Sequence, residues 1–178
     1  MRRLILMRHA KTERDAPSGK DQDRRLDARG HADCAEMATW LARSGYMADL
    51  VLVSTATRAQ ETWQQVNAAI PSLQAEHLPE LYGAGPSDLL HAVHAETTPM
   101  TKTVLVIGHN PGLHELALAL TASGDAAGLQ ALASNLPTSG IAVIDFAIDD
   151  WNDVGFRSGR LICFASPKLL RDKSGGGD

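Results

Sequence analysis

Three short apolar runs recur along the chain, each free of turn formers: Leu4-Ile-Leu-Met7, Leu50-Val-Leu-Val53 and Thr103-Val-Leu-Val-Ile107. Continuous rather than alternating hydrophobicity over four or five residues is the pattern of a strand buried on both faces, as in the middle of a parallel sheet. Between the runs the period lengthens to that of a helix. From Gly30 to about Arg43, the positions Ala32, Ala35, Met37, Ala38, Leu41 and Ala42 share one helical face, and Gly45 ends it. A second helical segment runs from about Ala56 to Ala69 and stops before Pro71. A third opens at Pro86-Ser87-Asp88 and carries Leu89, Leu90 and Val93. After the third run Asn110 reads as an N-cap and Pro111 as the first residue of a helix that buries Leu113, Leu116, Ala117 and Leu120. Another helix covers Asp125 to Ala133. Gln74 to Leu78 reads as a short strand. Ile141 to Ala147 and Arg160 to Phe164 read as a hairpin at a sheet edge, joined by a polar turn containing Asp149-Asp150. The polar stretch from Ala10 to Arg25, with Pro17 and Gly19, reads as a loop.

Strand and helix in alternation predict an α/β fold: a three-layer α/β/α sandwich with a mainly parallel central sheet. The 178 residues suit one domain over 1–170, with 171–178 expected as a disordered tail ending in Gly-Gly-Gly-Asp. Hydrophobic residues at 44% and charged residues at 21% are ordinary for a globular protein. The net charge of −4 speaks against a nucleic-acid partner. No apolar span of membrane length and no signal peptide are found, so the expected location is the cytoplasm, with no membrane partner. Cys34 and Cys163 stand far apart and read as small buried hydrophobes.

Charge matters more in its placement than in its sum. The first run ends in Arg8-His9. The second is followed by Ser54 and, inside the next helix, Arg58. The third ends in Gly108-His109. Parallel strands deliver these three ends to one edge of the sheet, where open α/β folds bind their ligands. Two guanidinium groups and two imidazoles converging there make a phosphate site. The planar fork of arginine matches phosphate oxygens in pairs. One imidazole can accept the phosphoryl group as a nucleophile, and a second can stabilise the oxygens in transit.

Arg8-His9-Ala10-Lys11-Thr12 resembles the Arg-His-Gly-x-Ser/Thr signature of the histidine phosphatase superfamily, whose fold is phosphoglycerate mutase-like. Ser54-Thr-Ala-Thr-Arg58-Ala-Gln-Glu-Thr62 is similar to its second motif and Gly108-His109-Asn-Pro-Gly112 to its third. Asp23-Arg24-Arg25-Leu26 with Gly30, and Leu81-Tyr82-Gly83-Ala84, resemble the small SixA-type phosphohistidine phosphatase branch. The resemblance implies that His9 is the nucleophile and passes through a phosphohistidine intermediate. Arg8 and Arg58 would clamp the phosphoryl oxygens, and His109, in its charged form, would hold another. Neither metal nor other cofactor is required.

Two departures bear on the substrate. The glycine usual after the signature histidine is Ala10. Larger members carry a general acid between the second and third motifs, where Glu80 is the nearest candidate and Glu76 and Asp88 are in range. An alkoxide leaving group gains roughly 10²–10⁴-fold from such an acid. An imidazole leaving group, with a pKa of about 6.5, needs far less help. A weak acid and a short Ile70–Met100 stretch, with little room for a cap, point to phosphohistidine on a protein as the substrate. The alternatives are a phosphatase of small phosphorylated metabolites and a non-catalytic phosphate-binding module. His91 and His94 at i, i+3 have no supporting ligand motif and read as surface positions.

Overall fold

A computed structural model describes residues 1–71 and 74–176. The three apolar runs form β1 (Arg2–Arg8), β2 (Leu50–Ser54) and, after the short β3 (Ala75–Leu78), β4 (Thr103–Gly108). With β5 (Thr121–Gly124), β6 (Ile141–Phe146) and β7 (Gly159–Ala165) they make a sheet of order β3-β2-β4-β1-β6-β7-β5 among the described residues. β3, β2, β4 and β1 pair in parallel, and β7 pairs in parallel with β5. β6 is inserted antiparallel to both β1 and β7. The helices are α1 (Ala28–Arg43), α2 (Thr57–Ala69), α3 (Pro86–Glu96), α4 (Gly112–Leu120), α5 (Ala126–Ser134) and α6 (Pro167–Ser174).

Successive strand residues serve opposite faces, and so the apolar runs feed two cores. Leu4, Leu6, Val104 and Val106 pack with Leu89, Val93, Leu113 and Leu116 of α3 and α4. Ile5, Met7, Leu105 and Ile107 pack with Met37, Leu41, Trp63 and Val66 of α1 and α2. These strand residues are at most 2% exposed, and each buried aliphatic side chain contributes roughly 1.5–3 kcal/mol. No helix of the described residues is long and apolar enough to cross a membrane.

Three sequence expectations are corrected. The strands near 141–147 and 160–164 do pair as a hairpin, but not at the edge. β6 lies between β1 and β7, buried along most of its length, and the edge is taken by β5. β5 reads Thr-Ala-Ser-Gly and carries no apolar run that could have announced it. The helix after β4 starts at Gly112, with Pro111 as its cap residue and a cis peptide before it. Asn110 does not cap that helix, because its side-chain amide donates to the Leu136 carbonyl. Residues 171–174, expected in a tail, form the end of α6. Ser166 caps that helix by accepting from the Leu169 amide, and Arg171 pairs with the nearly buried Asp33 at 2.8 Å. Gly177 and Asp178 lie outside the described residues.

Two glycines set how loops meet at the carboxyl edge of the sheet. Asp27 caps α1 by accepting from the Gly30 amide, and a Cβ on Gly30 would lie 2.0 Å from the Lys11 carbonyl oxygen. The first turn of α1 therefore presses on the backbone just after His9. A Cβ on Gly112 would lie 1.9 Å from the Ala84 carbonyl oxygen, so the start of α4 presses on the loop that carries Tyr82.

Candidate active site

The register of β1 on β4 sets Arg8 opposite Gly108. His9 and His109 therefore leave neighbouring strand ends side by side. The His9 amide donates to the Gly108 carbonyl at 3.1 Å, and the two ring centroids lie 5.2 Å apart. The turn before β6 braces this corner from the other side. The Ser139 amide lies 3.1 Å from the Arg8 carbonyl and 3.2 Å from that of His9, and the Arg8 guanidinium and the Asn110 amide both donate to the Leu136 carbonyl.

Arg58 arrives from the first turn of α2. Thr62, one turn further on and fully buried, ties that helix to the nucleophile loop. Its hydroxyl accepts from the Ala10 amide at 3.0 Å and donates to the Arg58 carbonyl at 2.7 Å. The last residue of the second motif is thus a strut between the His9 loop and the Arg58 helix. Ser54, at the end of β2, lies 2.7 Å from His109 Nε2.

Hydrogen bonding assigns the proton on the His9 ring. A carbonyl only accepts, so His9 Nδ1, 2.8 Å from the Ala10 carbonyl, carries a proton and Nε2 keeps its lone pair. Ser54 Oγ accepts from the Ala56 amide and keeps both a proton and a second lone pair for His109 Nε2. His109 Nδ1 is buried without a partner, as are Nε of Arg8 and Nε of Arg58. Two buried guanidinium donors without partners suit an oxyanion.

Burial is the main force on the imidazoles. His9 is pushed down to about 3 by desolvation, against the pull of the Ala10 carbonyl, and the positive neighbours His109, Arg58 and Arg8 add to the fall. His109 is pushed down to about 4 by desolvation and then by Arg58. Burial thus favours the neutral form of both rings. The Arg8 guanidinium is also lowered, by burial and by Arg58.

A second cluster, unforeseen in the sequence, sits on Arg58. Asp21, in the 3₁₀ turn Asp21–Asp23 of the long loop, receives Arg58 twice: Nη1 donates to its carbonyl at 2.8 Å and Nη2 to Oδ2 at 3.0 Å. The Tyr82 hydroxyl donates to the same Oδ2 at 2.7 Å, and Arg24 Nε donates to Oδ1 at 2.9 Å. Tyr82 also meets His109 edge-on, with centroids 5.6 Å apart. The Tyr82 hydrogen bond, followed by Arg58 and Arg24, holds the Asp21 carboxyl at about 2. Asp21 lies in a charge-dense loop without periodicity, and no pattern in the chain singles it out.

The acid candidates make no hydrogen bond to His9 or His109 among the described residues. Glu80 is exposed in the 3₁₀ turn Pro79–Leu81, with no hydrogen-bond or ion-pair partner among the described residues. Glu76 is exposed on β3, and Asp88 accepts from the Gly85 amide at the start of α3. No group of three or more His, Cys, Asp or Glu suited to a metal ion occurs among the described residues. His91 is exposed and His94 contacts the Val154 carbonyl.

Known proteins share both this chain's sequence and its fold. The profile of the histidine phosphatase superfamily (branch 1) matches residues 4–85. A crystal structure assigned as phosphohistidine phosphatase SixA of Agrobacterium tumefaciens is 33% identical, with a TM-score of 0.79 over 93% of this chain and 98% of that one. The protein histidine phosphatase SixA complexed with tungstate is 28% identical, with a TM-score of 0.75 over 94% and 99%. Phosphohistidine phosphatase SixA of Escherichia coli is 37% identical over 61% of this chain and 67% of its own length. With two imidazoles and two guanidinium groups converging at the carboxyl edge of a mainly parallel sheet, the chain belongs to the histidine phosphatase superfamily, as a phosphatase of its SixA-like group.

Proposed function

We propose that this chain dephosphorylates phosphohistidine on a protein, without a metal, through a covalent intermediate on His9. In the first step His9 Nε2 attacks the phosphorus while the substrate P–N bond breaks. The departing imidazole leaves neutral when its far nitrogen carries a proton. Arg8 and Arg58 hold the phosphoryl oxygens, and His109 holds another. Water then attacks the phosphorus, the bond to Nε2 breaks and inorganic phosphate leaves. The Nδ1 proton held on the Ala10 carbonyl makes His9 a neutral leaving group in this second step.

The observation that carries the substrate assignment is the state of the carboxylates. Asp21, which reaches Arg58, is kept ionised by three donors, and Glu80 is exposed with no hydrogen-bond or ion-pair partner among the described residues. No carboxylate is hydrogen-bonded to His9 or His109 among the described residues, and an imidazole leaving group, unlike an alkoxide, does not need one to protonate it. The stretch after α2 supports a protein-sized substrate. Its buried residues Leu81, Leu89, Ala92 and Val93 belong to the core, and what it gives the imidazoles is Tyr82.

The test is phosphate release, in the presence of EDTA, from a phosphohistidine peptide and from an aryl phosphate. Wild type is expected to turn over the peptide and barely touch the ester. His9→Ala is expected to lose the activity, and Glu80→Gln to keep it within about twofold, since an imidazole leaving group needs no strong acid. Efficient ester turnover that depends on Glu80 would move the assignment to small phosphomonoesters. Undiminished turnover by His9→Ala would remove the intermediate.

A further inference from the structure

The Arg58 guanidinium already holds an anion. Two of its nitrogens donate to Asp21, one to the carbonyl and one to the carboxylate, and the carboxylate is further held by Tyr82 and Arg24. A phosphoryl group clamped between Arg8 and Arg58 competes for the same donors, and two anions this close repel one another. The carboxylate has somewhere to go. Its other oxygen is bonded to Arg24, and beside it lies a polar cavity of about 280 Å³ whose charged lining is Arg14, Asp15, Lys20, Arg24 and Asp21 itself, three cations to two carboxylates. The Asp21 side chain is half-exposed, so this shift uncovers no core.

We propose that Asp21 is a positioning residue that occupies the Arg58 fork when the site is empty and yields it to the phosphoryl group. While displaced, it stays on Arg24 at the mouth of the polar cavity. Its return drives phosphate out. The residue thereby trades affinity for product against speed of release. It keeps Arg58 aimed before substrate arrives, and it weakens the hold on inorganic phosphate afterwards. With its carboxyl held at about 2, Asp21 stays anionic through the working pH range, so the competition does not switch off.

The inference rests on the anion site of the proposed function, and equilibrium binding tests it without any turnover. Orthophosphate and tungstate are titrated calorimetrically into wild type, Asp21→Asn and Asp21→Glu at pH 7.5 and fixed ionic strength. Asp21→Asn keeps the backbone carbonyl contact to Arg58 and loses the charge. It is expected to bind both anions about five- to tenfold more tightly, the effect of removing one screened like charge. Asp21→Glu, which restores the charge, is expected within about twofold of wild type. Asp21→Ser repeats the loss of charge in case the amide disturbs the turn. A residue that merely supported Arg58 would give the opposite sign, so unchanged or weaker binding by the two neutral variants overturns the proposal and leaves the phosphatase reading intact. If no variant, wild type included, binds either anion, the anion site falls and this proposal falls with it.

Discussion

Thr62 offers the sharpest test of how the site is held together. Replacing it by valine keeps the shape and removes the hydroxyl. The side chain is fully buried, and it accepts from the Ala10 amide while donating to the Arg58 carbonyl. Without it the Ala10 N–H is left buried without an acceptor, which costs about 1–3 kcal/mol. In a protein of this size each kcal/mol moves the melting temperature by about 2–4 °C, so a loss of ~2 kcal/mol appears as a fall of about 4–8 °C. The kinetic effect is larger than the effect on stability implies, because the strut joins the two elements that carry His9 and Arg58. A displacement of about 1 Å in a reacting group can cost 10²-fold. Thr62→Val is therefore expected to lose between about 10- and 100-fold in kcat on a phosphohistidine peptide while remaining folded at assay temperature. Thr62→Ser, which keeps both hydrogen bonds, is expected to stay within about threefold in activity, despite the small cavity left by its missing methyl group. Melting curves and steady-state kinetics on the three proteins decide the matter. If Thr62→Val melts several degrees lower yet turns over at the wild-type rate, the hydroxyl supports the fold and does not align the site.

The depressed imidazoles predict an acid-sensitive fold. A histidine whose folded pKa is about 3 or 4, against about 6.5 unfolded, binds fewer protons folded than unfolded between those values. Stability is then complete above about pH 6.5 and declines as pH falls through that window, by up to about 2 kcal/mol per residue between pH 7 and pH 5. His109→Asn should remove its share, and urea unfolding at both pH values measures this. An equal acid loss in the variant would contradict the burial argument. Gly112→Ala places a Cβ 1.9 Å from the Ala84 carbonyl and must push the Tyr82 loop away. It is expected to cost about 1–3 kcal/mol and to lower activity. Gly155→Ala, where a Cβ meets only open space, is its control and should stay within about 0.5 kcal/mol.

Much of this protein is determined by sequence alone because it rests on local pattern. The apolar runs ending at Met7, Val53 and Ile107 have to be buried on both faces, and in a parallel sheet that places Arg8, His9, Arg58 and His109 at one edge. Both the fold class and those four positions were legible from that argument. What the tertiary structure decided depends on groups brought together across long separations. Asp21 reaches Tyr82, sixty-one residues away, through a single hydrogen bond between exposed side chains, and no periodicity marks either partner. The lowered pKa of His109 follows from how deeply the finished fold buries it, which its place after β4 does not reveal. β5 becomes an edge strand because β7 offers it hydrogen bonds, although Thr-Ala-Ser-Gly has little strand character of its own. The start of the tail is held in α6, where Leu170 packs on the core beside α1 and Arg171 pairs with Asp33 of that helix. Hydrophobic burial is periodic along the chain and can be read from it, whereas a hydrogen bond or ion pair between distant loops exists only once the fold has placed both groups within reach.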